Sequence, residues 1–332
     1  MSKALVFGAS GQMARALVPL LAERGWQVDA VTRAGRDLPD ALAPLARAVP
    51  MAASRAATIQ ASGGYDAVFD PMAMDASEAA DLLQAASDVG QFCVISTASV
   101  YADAQGRSFE SSGETGFPRF PRLITEAQMT VAAGDGYSSG KVAMELAMLQ
   151  SKTTILRAGA IYGIGARHPR EWWFVKRALD GRARVPLVDQ GRNVFHTSSA
   201  AGIASLAAFC FEGGHCGLFN VADPQPLTVA QIGHAVFEAM GHQADLISAD
   251  DLPEAEWQVG YTPFSCENPV RLSTARARGL GWDGGPSYES LMPDYTAWLA
   301  SRVATWEIDF PAFAAYGYDA FDYAAEDAAF LP

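Results

Sequence analysis

Tyr137-Ser138-Ser139-Gly140-Lys141 sets a phenol and an amine four residues apart. On a helix, positions i and i+4 share a face, so the two side chains can stand side by side. A free tyrosine titrates near ~10 and is a poor base at neutral pH. A neighbouring ammonium stabilises the phenolate and moves it toward the working range, as acid–base chemistry at an alcohol or carbonyl carbon requires. A second segment, Ser96-Thr97-Ala98-Ser99-Val100-Tyr101, ends the apolar run that starts at Phe92. At the C-terminal end of a parallel strand, the Thr97 hydroxyl would hold a substrate oxygen against Tyr137. Each segment alone is commonplace. Their meaning depends on what brings them together.

The element that would do so lies at the start of the chain. Ala4-Leu5-Val6-Phe7 reads as a buried strand that breaks into Gly8-Ala9-Ser10-Gly11-Gln12-Met13-Ala14 and then into a helix, with Met13, Leu17, Leu20 and Leu21 at helical spacing. A glycine turn at a helix N-terminus receives a pyrophosphate: N–H groups point at the anion, the helix dipole favours it, and glycine leaves room for approach. Gly8, Ser10, Gly11, Gln12 and Met13 are therefore the candidate cofactor contacts. An oxidised nicotinamide at Tyr137 adds its own positive charge to that of Lys141, and Lys141 can also hydrogen-bond the nicotinamide ribose. Thr97, Tyr137 and Lys141 are the expected catalytic residues, with hydride passing between substrate carbon and nicotinamide.

Strand-like and helix-like runs alternate through the first half: strands at Gln27–Val31, Asp66–Phe69, Phe92–Ser96 and Thr153–Arg157, helices at Ser77–Ala86 and Lys141–Gln150. That pitch predicts an α/β fold, a Rossmann-type doubly wound parallel sheet. The glycine- and proline-rich interval Asp103–Gly136 reads as a functional or mobile loop. Past Gly163 the alternation fades, leaving helices at Arg170–Leu179 and Val229–Met240 and a strand at Leu218–Val221. The expected division is a dinucleotide-binding domain over 1–164, with returning segments near 192–222, and a smaller C-terminal α/β substrate domain over 165–332. The aromatic, acidic stretch from Trp298 to Phe330 reads as packing on its own domain or a subunit interface, before a partner site or a cover for a substrate cleft. Trp172 and Trp173 fit a core as readily as a cleft wall.

At 332 residues, half of them hydrophobic and 18% charged, the chain is globular by composition. A net charge of −13 excludes a general nucleic-acid surface but not a small anionic ligand, for which local positive charge suffices. Cys93, Cys210, Cys216 and Cys266 show no metal-binding spacing with each other or with the histidines, so no metal is expected and the thiols read as reduced. His196, in an apolar strip, reads as structural. Neither a signal peptide nor a membrane span is visible, so the expectation is a cytoplasmic protein with a small-molecule substrate and no nucleic-acid or membrane partner.

With these residues in view, the sequence resembles the extended short-chain dehydrogenase/reductases, the NAD(P)-dependent epimerase/dehydratase family. Gly8–Ala14 is similar to the family's GxxGxxG/A turn, Ser96–Tyr101 to its SSATVYG segment, and Tyr137/Lys141 to its YxxxK pair. Leu156–Gly163 resembles LRPGNVYG, Gly191–His196 resembles G-x-R-x-F-x-H, and Phe219-Asn220-Val221 with Leu227-Thr228 resembles a later strand-to-helix junction. The likeness runs from about residue 3 to about residue 240. It implies a Rossmann domain, a small substrate domain and a Thr–Tyr–Lys triad, with a homodimer by analogy. Where the family's dehydratases carry an Asp-Glu pair, Ala98 and Ser99 stand here, which disfavours dehydration. Where several epimerases place an asparagine against the nucleotide diphosphate, Ala160 stands. Arg192 matches the family's diphosphate-contacting arginine, and with Thr97, Ala98 and Ser99 makes the expected substrate-binding set; a surface ion pair is its plainer reading.

The second strand ends Val31-Thr32-Arg33, with Arg36 close behind. NAD sites use a carboxylate there, whereas guanidinium groups suit a 2′-phosphate, so NADP is expected ahead of NAD. The family's adenine-contacting aspartate has no match around Ala48–Ser54. The expected function is an NAD(P)-dependent epimerase or oxidoreductase acting at a secondary alcohol or ketone carbon of a sugar or nucleotide-linked substrate. The alternatives are an NADPH-dependent carbonyl reductase and, from another class, a non-catalytic dinucleotide sensor or scaffold.

Overall fold

The structure is a computed structural model and describes residues 1–33, 36–252 and 258–330. Eleven strands are present among the described residues: β1 (Lys3–Val6), β2 (Gln27–Thr32), β3 (Arg47–Pro50), β4 (Tyr65–Asp70), β5 (Val89–Thr97), β6 (Thr153–Ala158), β7 (Ala160–Tyr162), β8 (Arg184–Leu187), β9 (Thr197–Ser199), β10 (Gly217–Val221) and β11 (Asp245–Ser248). Seven of them form one sheet in the order β3-β2-β1-β4-β5-β6-β10, parallel throughout. Most of its strands are covered on both faces, which is why they read as unbroken apolar runs rather than alternating ones. Strand order reverses between β1 and β4, so the ligand crevice of such a sheet opens at the C-terminal ends of those two strands. The expected doubly wound sheet is therefore present.

The helices are α1 (Gln12–Glu23), α2 (Arg55–Gln60), α3 (Ala76–Leu83), α4 (Ser112–Thr115), α5 (Tyr137–Met148), α6 (Trp172–Leu179), α7 (Ala200–Gly213), α8 (Val229–Met240), α9 (Ala275–Gly279), α10 (Tyr288–Ala300), α11 (Trp306–Asp309), α12 (Pro311–Ala314) and α13 (Tyr323–Ala329). Leu17 and Leu21 of α1 and Ile203 and Leu206 of α7 share one core on the first face of the sheet. Leu82 of α3 and Met144 and Met148 of α5 share another on the opposite face. Both α7 and β10 return to this sheet from beyond residue 165.

A further core is built by α6, α8 and α10. Trp172, Trp173 and Phe174 are fully buried in it, so the two tryptophans are core residues rather than a cleft wall. β8 and β11 form a separate parallel pair beside it. The aromatic C-terminal stretch packs onto this core: Phe310 and Phe313 are buried, and the Trp306 ring lies 6.0 Å from that of Trp172. Arg177 of α6 is buried against Glu326 of α13 and lies 3.3 Å from the Trp173 ring centroid. Packing on its own chain is what this stretch does here.

Many elements go beyond the sequence reading, short strands and helices of the second half among them. The largest are α7 and α10, which form where no helix was anticipated, while β3 and α2 add a strand and a helix between β2 and β4. Between Ala200 and Phe211, α7 is almost wholly apolar, because it is wedged between α1 and the sheet and has little polar face to give a period. The interval 103–136 is pinned rather than loose. Asp103 accepts hydrogen bonds from the Gln105, Arg107 and Arg119 N–H groups, and Phe109, Phe117 and Phe120 pack together.

Candidate active site

The glycine turn lies where β1 passes into α1. Gly8 has φ +71°, the left-handed region that favours glycine, and a Cβ there would meet Met72 Sδ at 3.4 Å. Gly11 is the N-cap of α1 in extended conformation, with its N–H donated to the Gly8 carbonyl at 2.9 Å. Ala14 at the third small position is fully buried, which keeps helix and strand close. A cleft of about 470 Å³ opens beside this turn, lined by Gly8, Ser10, Arg33, Arg36, Arg55 and Arg167 among others. Arg55 is already committed: its Nε lies 2.5 Å from Asp70 and its Nη2 lies 3.2 Å from Glu78. Neither Arg33, Arg36 nor Arg167 forms an ion pair among the described residues. Met51, just past β3, lines the cleft where the family's adenine-contacting aspartate was sought.

A second cleft of about 420 Å³ opens at the C-terminal end of β5. Thr97, Tyr137 and Lys141 all line it, as do Ala98 and Ser99, with Gln12 and Met13 from the start of α1. The three candidate catalytic residues are thus brought together beside the N-terminal end of α1. Thr97 accepts the Ser99 N–H at 3.1 Å and so caps the turn after β5, which holds its hydroxyl at the rim of the sheet. Tyr137 is the first residue of α5 and is half-exposed.

Lys141, one turn on, is buried. Its Nζ donates to the carbonyls of Ala73 at 2.7 Å and Ile95 at 2.8 Å, and burial draws its pKa down to about 8. The ammonium is thus held by two carbonyls rather than by the phenol. The Ala73 carbonyl is itself placed by Asp70, which accepts the Met72 and Ala73 N–H groups.

Behind the cleft is a buried network that the sequence reading did not assign. Glu145, four residues after Lys141 on α5, accepts Ser96 Oγ at 2.5 Å and pairs with Arg157 through Nη2 at 2.5 Å and Nε at 2.9 Å. Arg157 lies 4.9 Å from the Tyr101 ring, and Tyr101 donates to Asn220 at 2.5 Å. The ends of β5, β6 and β10 and the middle of α5 are locked together one residue away from Thr97. The Lys141/Glu145 spacing and the Leu156-Arg157 pair were the available signal.

His168 and Arg170, from the segment after β7, line the same cleft, as does Phe195 just before β9. His168 is hydrogen-bonded through Nε2 to the Tyr316 hydroxyl, and burial together with the charge of Arg170 lowers its pKa to about 4. Arg192, expected here, is not among the lining residues. It is exposed and turned onto Asp189 at 2.7 Å, because Asp189 and Gln190 adopt left-handed backbone and carry the following guanidinium to the surface. His196 is a structural residue, as read: Nδ1 accepts the Leu272 N–H and Nε2 meets the Asp223 carbonyl at 2.9 Å. Among the described residues no group of histidines, cysteines or carboxylates could hold a metal, and no helix is long and apolar enough to cross a membrane.

Residues 8–129 match a family model described as NAD(P)H-binding. No curated protein matches the chain by sequence. Among solved structures it is similar to a candidate epimerase from Burkholderia cenocepacia, with TM-score 0.69, 16% identity, and 90% of this chain and 98% of that one covered. It is also similar to UDP-N-acetylglucosamine 4-epimerase from Bacillus cereus, with TM-score 0.66, 15% identity and coverage of 90% and 99%. A third similar structure is dTDP-glucose 4,6-dehydratase from Bacillus anthracis, solved with NAD, with TM-score 0.65, 14% identity and coverage of 93% and 100%. The chain thus carries an NAD(P)H-binding domain within the fold of the extended short-chain dehydrogenase/reductases.

Proposed function

We propose that the protein is an NADP(H)-dependent oxidoreductase or epimerase that interconverts a secondary alcohol and its ketone. The observation that carries this reading is that Thr97, Tyr137 and Lys141 line one cleft with Gln12 and Met13 of the cofactor-receiving helix. The groups present fit a dinucleotide: a left-handed glycine turn, a helix N-terminus beyond it, and three unpaired arginines along the neighbouring cleft. Arg33, Arg36 and Arg167 there support a cofactor with a 2′-phosphate: β2 ends at Thr32, followed by Arg33, without a carboxylate, and the one acid among the lining residues, Asp37, is outnumbered by the arginines.

When bound, the nicotinamide supplies or takes the hydride. The chain's own residues handle the proton and the geometry. Tyr137 gives or takes the proton of the substrate hydroxyl. Thr97 holds that oxygen by hydrogen bond. Lys141, held by the Ala73 and Ile95 carbonyls, would stabilise the phenolate by its charge and donate to the nicotinamide ribose.

Among the described residues lining the cleft none is acidic, and this supports proton transfer by Tyr137 without the carboxylate pair that a dehydratase needs. A sugar or nucleotide-linked substrate is the class named by the similar structures, and the cleft's cations suit it. A carbonyl reductase uses the same three residues. A sensor without chemistry has no use for them.

Purification followed by dialysis and an ultraviolet spectrum separates these readings. Cofactor retained through dialysis, with alcohol epimers interconverted, marks an epimerase. Stoichiometric NADPH consumption over a panel of carbonyl compounds marks a reductase. A protein that binds neither NADPH nor NADH removes the proposal.

A further inference from the structure

Arg170 lines the cleft that holds Thr97 and Tyr137 and has no role in the hydride chemistry. The chain carries a net charge of −13, and the two arginines that are fully buried, Arg157 and Arg177, are each paired with a carboxylate. Arg170 forms no such pair among the described residues; its guanidinium lies 5.6 Å from the Phe195 ring in the cleft. The nearest carboxyl in sequence, Glu171, is withdrawn into the second core. It is fully buried and accepts the Tyr288 hydroxyl at 3.2 Å and the Tyr295 hydroxyl at 3.4 Å. The Glu171 charge still acts on Arg170 through space, but among the described residues no carboxylate pairs with the guanidinium directly, so its donors are open to an anion.

We propose that Arg170, with His168 beside it, forms an anion subsite that takes a phosphoryl or carboxylate group of the substrate. The C-terminal segment belongs to this subsite, because Tyr316 holds the His168 ring in place. The inference rests on the proposed hydride-transfer reading for its orientation, with the reacting carbon at Thr97 and Tyr137 and the acidic group at Arg170.

Four features support it. The described lining residues include Lys141 and Arg170 as cations and no acid to compete for them. Arg192, the arginine matched to the family's diphosphate contact, is engaged by Asp189 on the surface, so that duty is open. Tyr316 comes from a segment anchored at both ends: Phe310 and Phe313 are buried before it, and Glu326 pairs with Arg177 after it. His168 is neutral near pH 7, lowered to about 4 by burial and by Arg170, so the ring sits beside the guanidinium without repelling it.

Calorimetry on the NADP⁺-loaded protein tests the subsite apart from turnover, with the cofactor's own phosphate sites filled. The probes are inorganic pyrophosphate, malonate, and the matched pair UDP and uridine. Pyrophosphate binding points to a phosphoryl group, malonate binding to a carboxylate. Wild type is expected to bind UDP at least tenfold tighter than uridine. Arg170→Gln should lose at least tenfold in anion affinity with NADP⁺ affinity unchanged, and Arg170→Lys should recover part of it.

Equal binding of anions by Arg170→Gln and wild type overturns the proposal, as does wild type binding none of the probes. A loss of NADP⁺ affinity in Arg170→Gln overturns it too, by assigning the guanidinium to the cofactor. Tyr316→Phe, which removes the hydrogen bond that holds the His168 ring, should weaken anion binding with NADP⁺ affinity unchanged; anion affinity equal to wild type removes the tail from the subsite. Failure of hydride transfer with anion binding intact would sink the chemistry alone.

Discussion

Two buried arginine–carboxylate pairs hold the molecule, one in each half, and they are built differently. Arg157 and Glu145 are twelve residues apart and join a helix to the strand that follows it. Arg177 and Glu326 are separated by 149 residues and fasten the end of the chain to α6. The first lies directly behind the cleft, through Ser96, and stiffens the elements that carry Thr97 and Lys141. The second lies away from the chemistry and reaches it only by keeping the tail, and hence Tyr316, in place. One half positions its reacting groups with local contacts. The other gains its shape only when the chain closes on itself.

Breaking each pair is the strongest way to test that contrast. Glu145→Ala and Glu326→Ala each leave a buried guanidinium unpaired and should each lower stability by about 3–5 kcal/mol in denaturant melts. They should part in what else they change. Glu145→Ala should also depress turnover, since Ser96 and α5 lose their common partner. Glu326→Ala should instead raise hydrogen exchange across residues 306–330 while cofactor affinity stays unchanged. Turnover untouched in Glu145→Ala would show that the network is not what orients the site.

A pH difference separates the halves next. Burial raises the Glu171 carboxyl to about 7 from its ordinary range. The folded value lies above the unfolded one, so its stabilisation is complete below about pH 4.5 and is lost as pH rises through 7. The gap corresponds to roughly 3 kcal/mol. Wild type should therefore lose stability between pH 5 and 8 faster than Glu171→Gln does. Parallel slopes for the two proteins in urea melts would mean that the carboxyl does not titrate there. A smaller effect is expected in the first half: Arg33→Gln should reduce the preference for NADPH over NADH about tenfold by fluorescence titration, as one charge-assisted contact is lost. An unchanged ratio would assign the 2′-phosphate to Arg36 and Arg167.

The same contrast decides what could be read from residues alone. The glycine turn, the β5 terminus and the Tyr137/Lys141 pair were legible because each is a local pattern on one element, and parallel strand order follows from their alternation. The His168 and Arg170 side of the cleft was not. His168 and Arg170 sit in a segment without periodicity, and their surroundings come from Tyr316, 148 residues away. Arg192 shows the converse: its motif neighbours left a ligand contact and a surface ion pair both open, and two left-handed residues before it turn the side chain onto Asp189 at the surface. α7 escaped notice because a helix buried nearly all round carries little amphipathic signal.

The account stands on Tyr137 as the proton donor and acceptor of the cleft. Tyr137→Phe keeps the ring on the half-exposed first turn of α5 and removes only the hydroxyl. Measured beside wild type with NADPH and a turned-over substrate, it should lose about 10²–10⁴-fold in kcat while the NADPH dissociation constant stays within twofold. Turnover equal to wild type would contradict the mechanism outright.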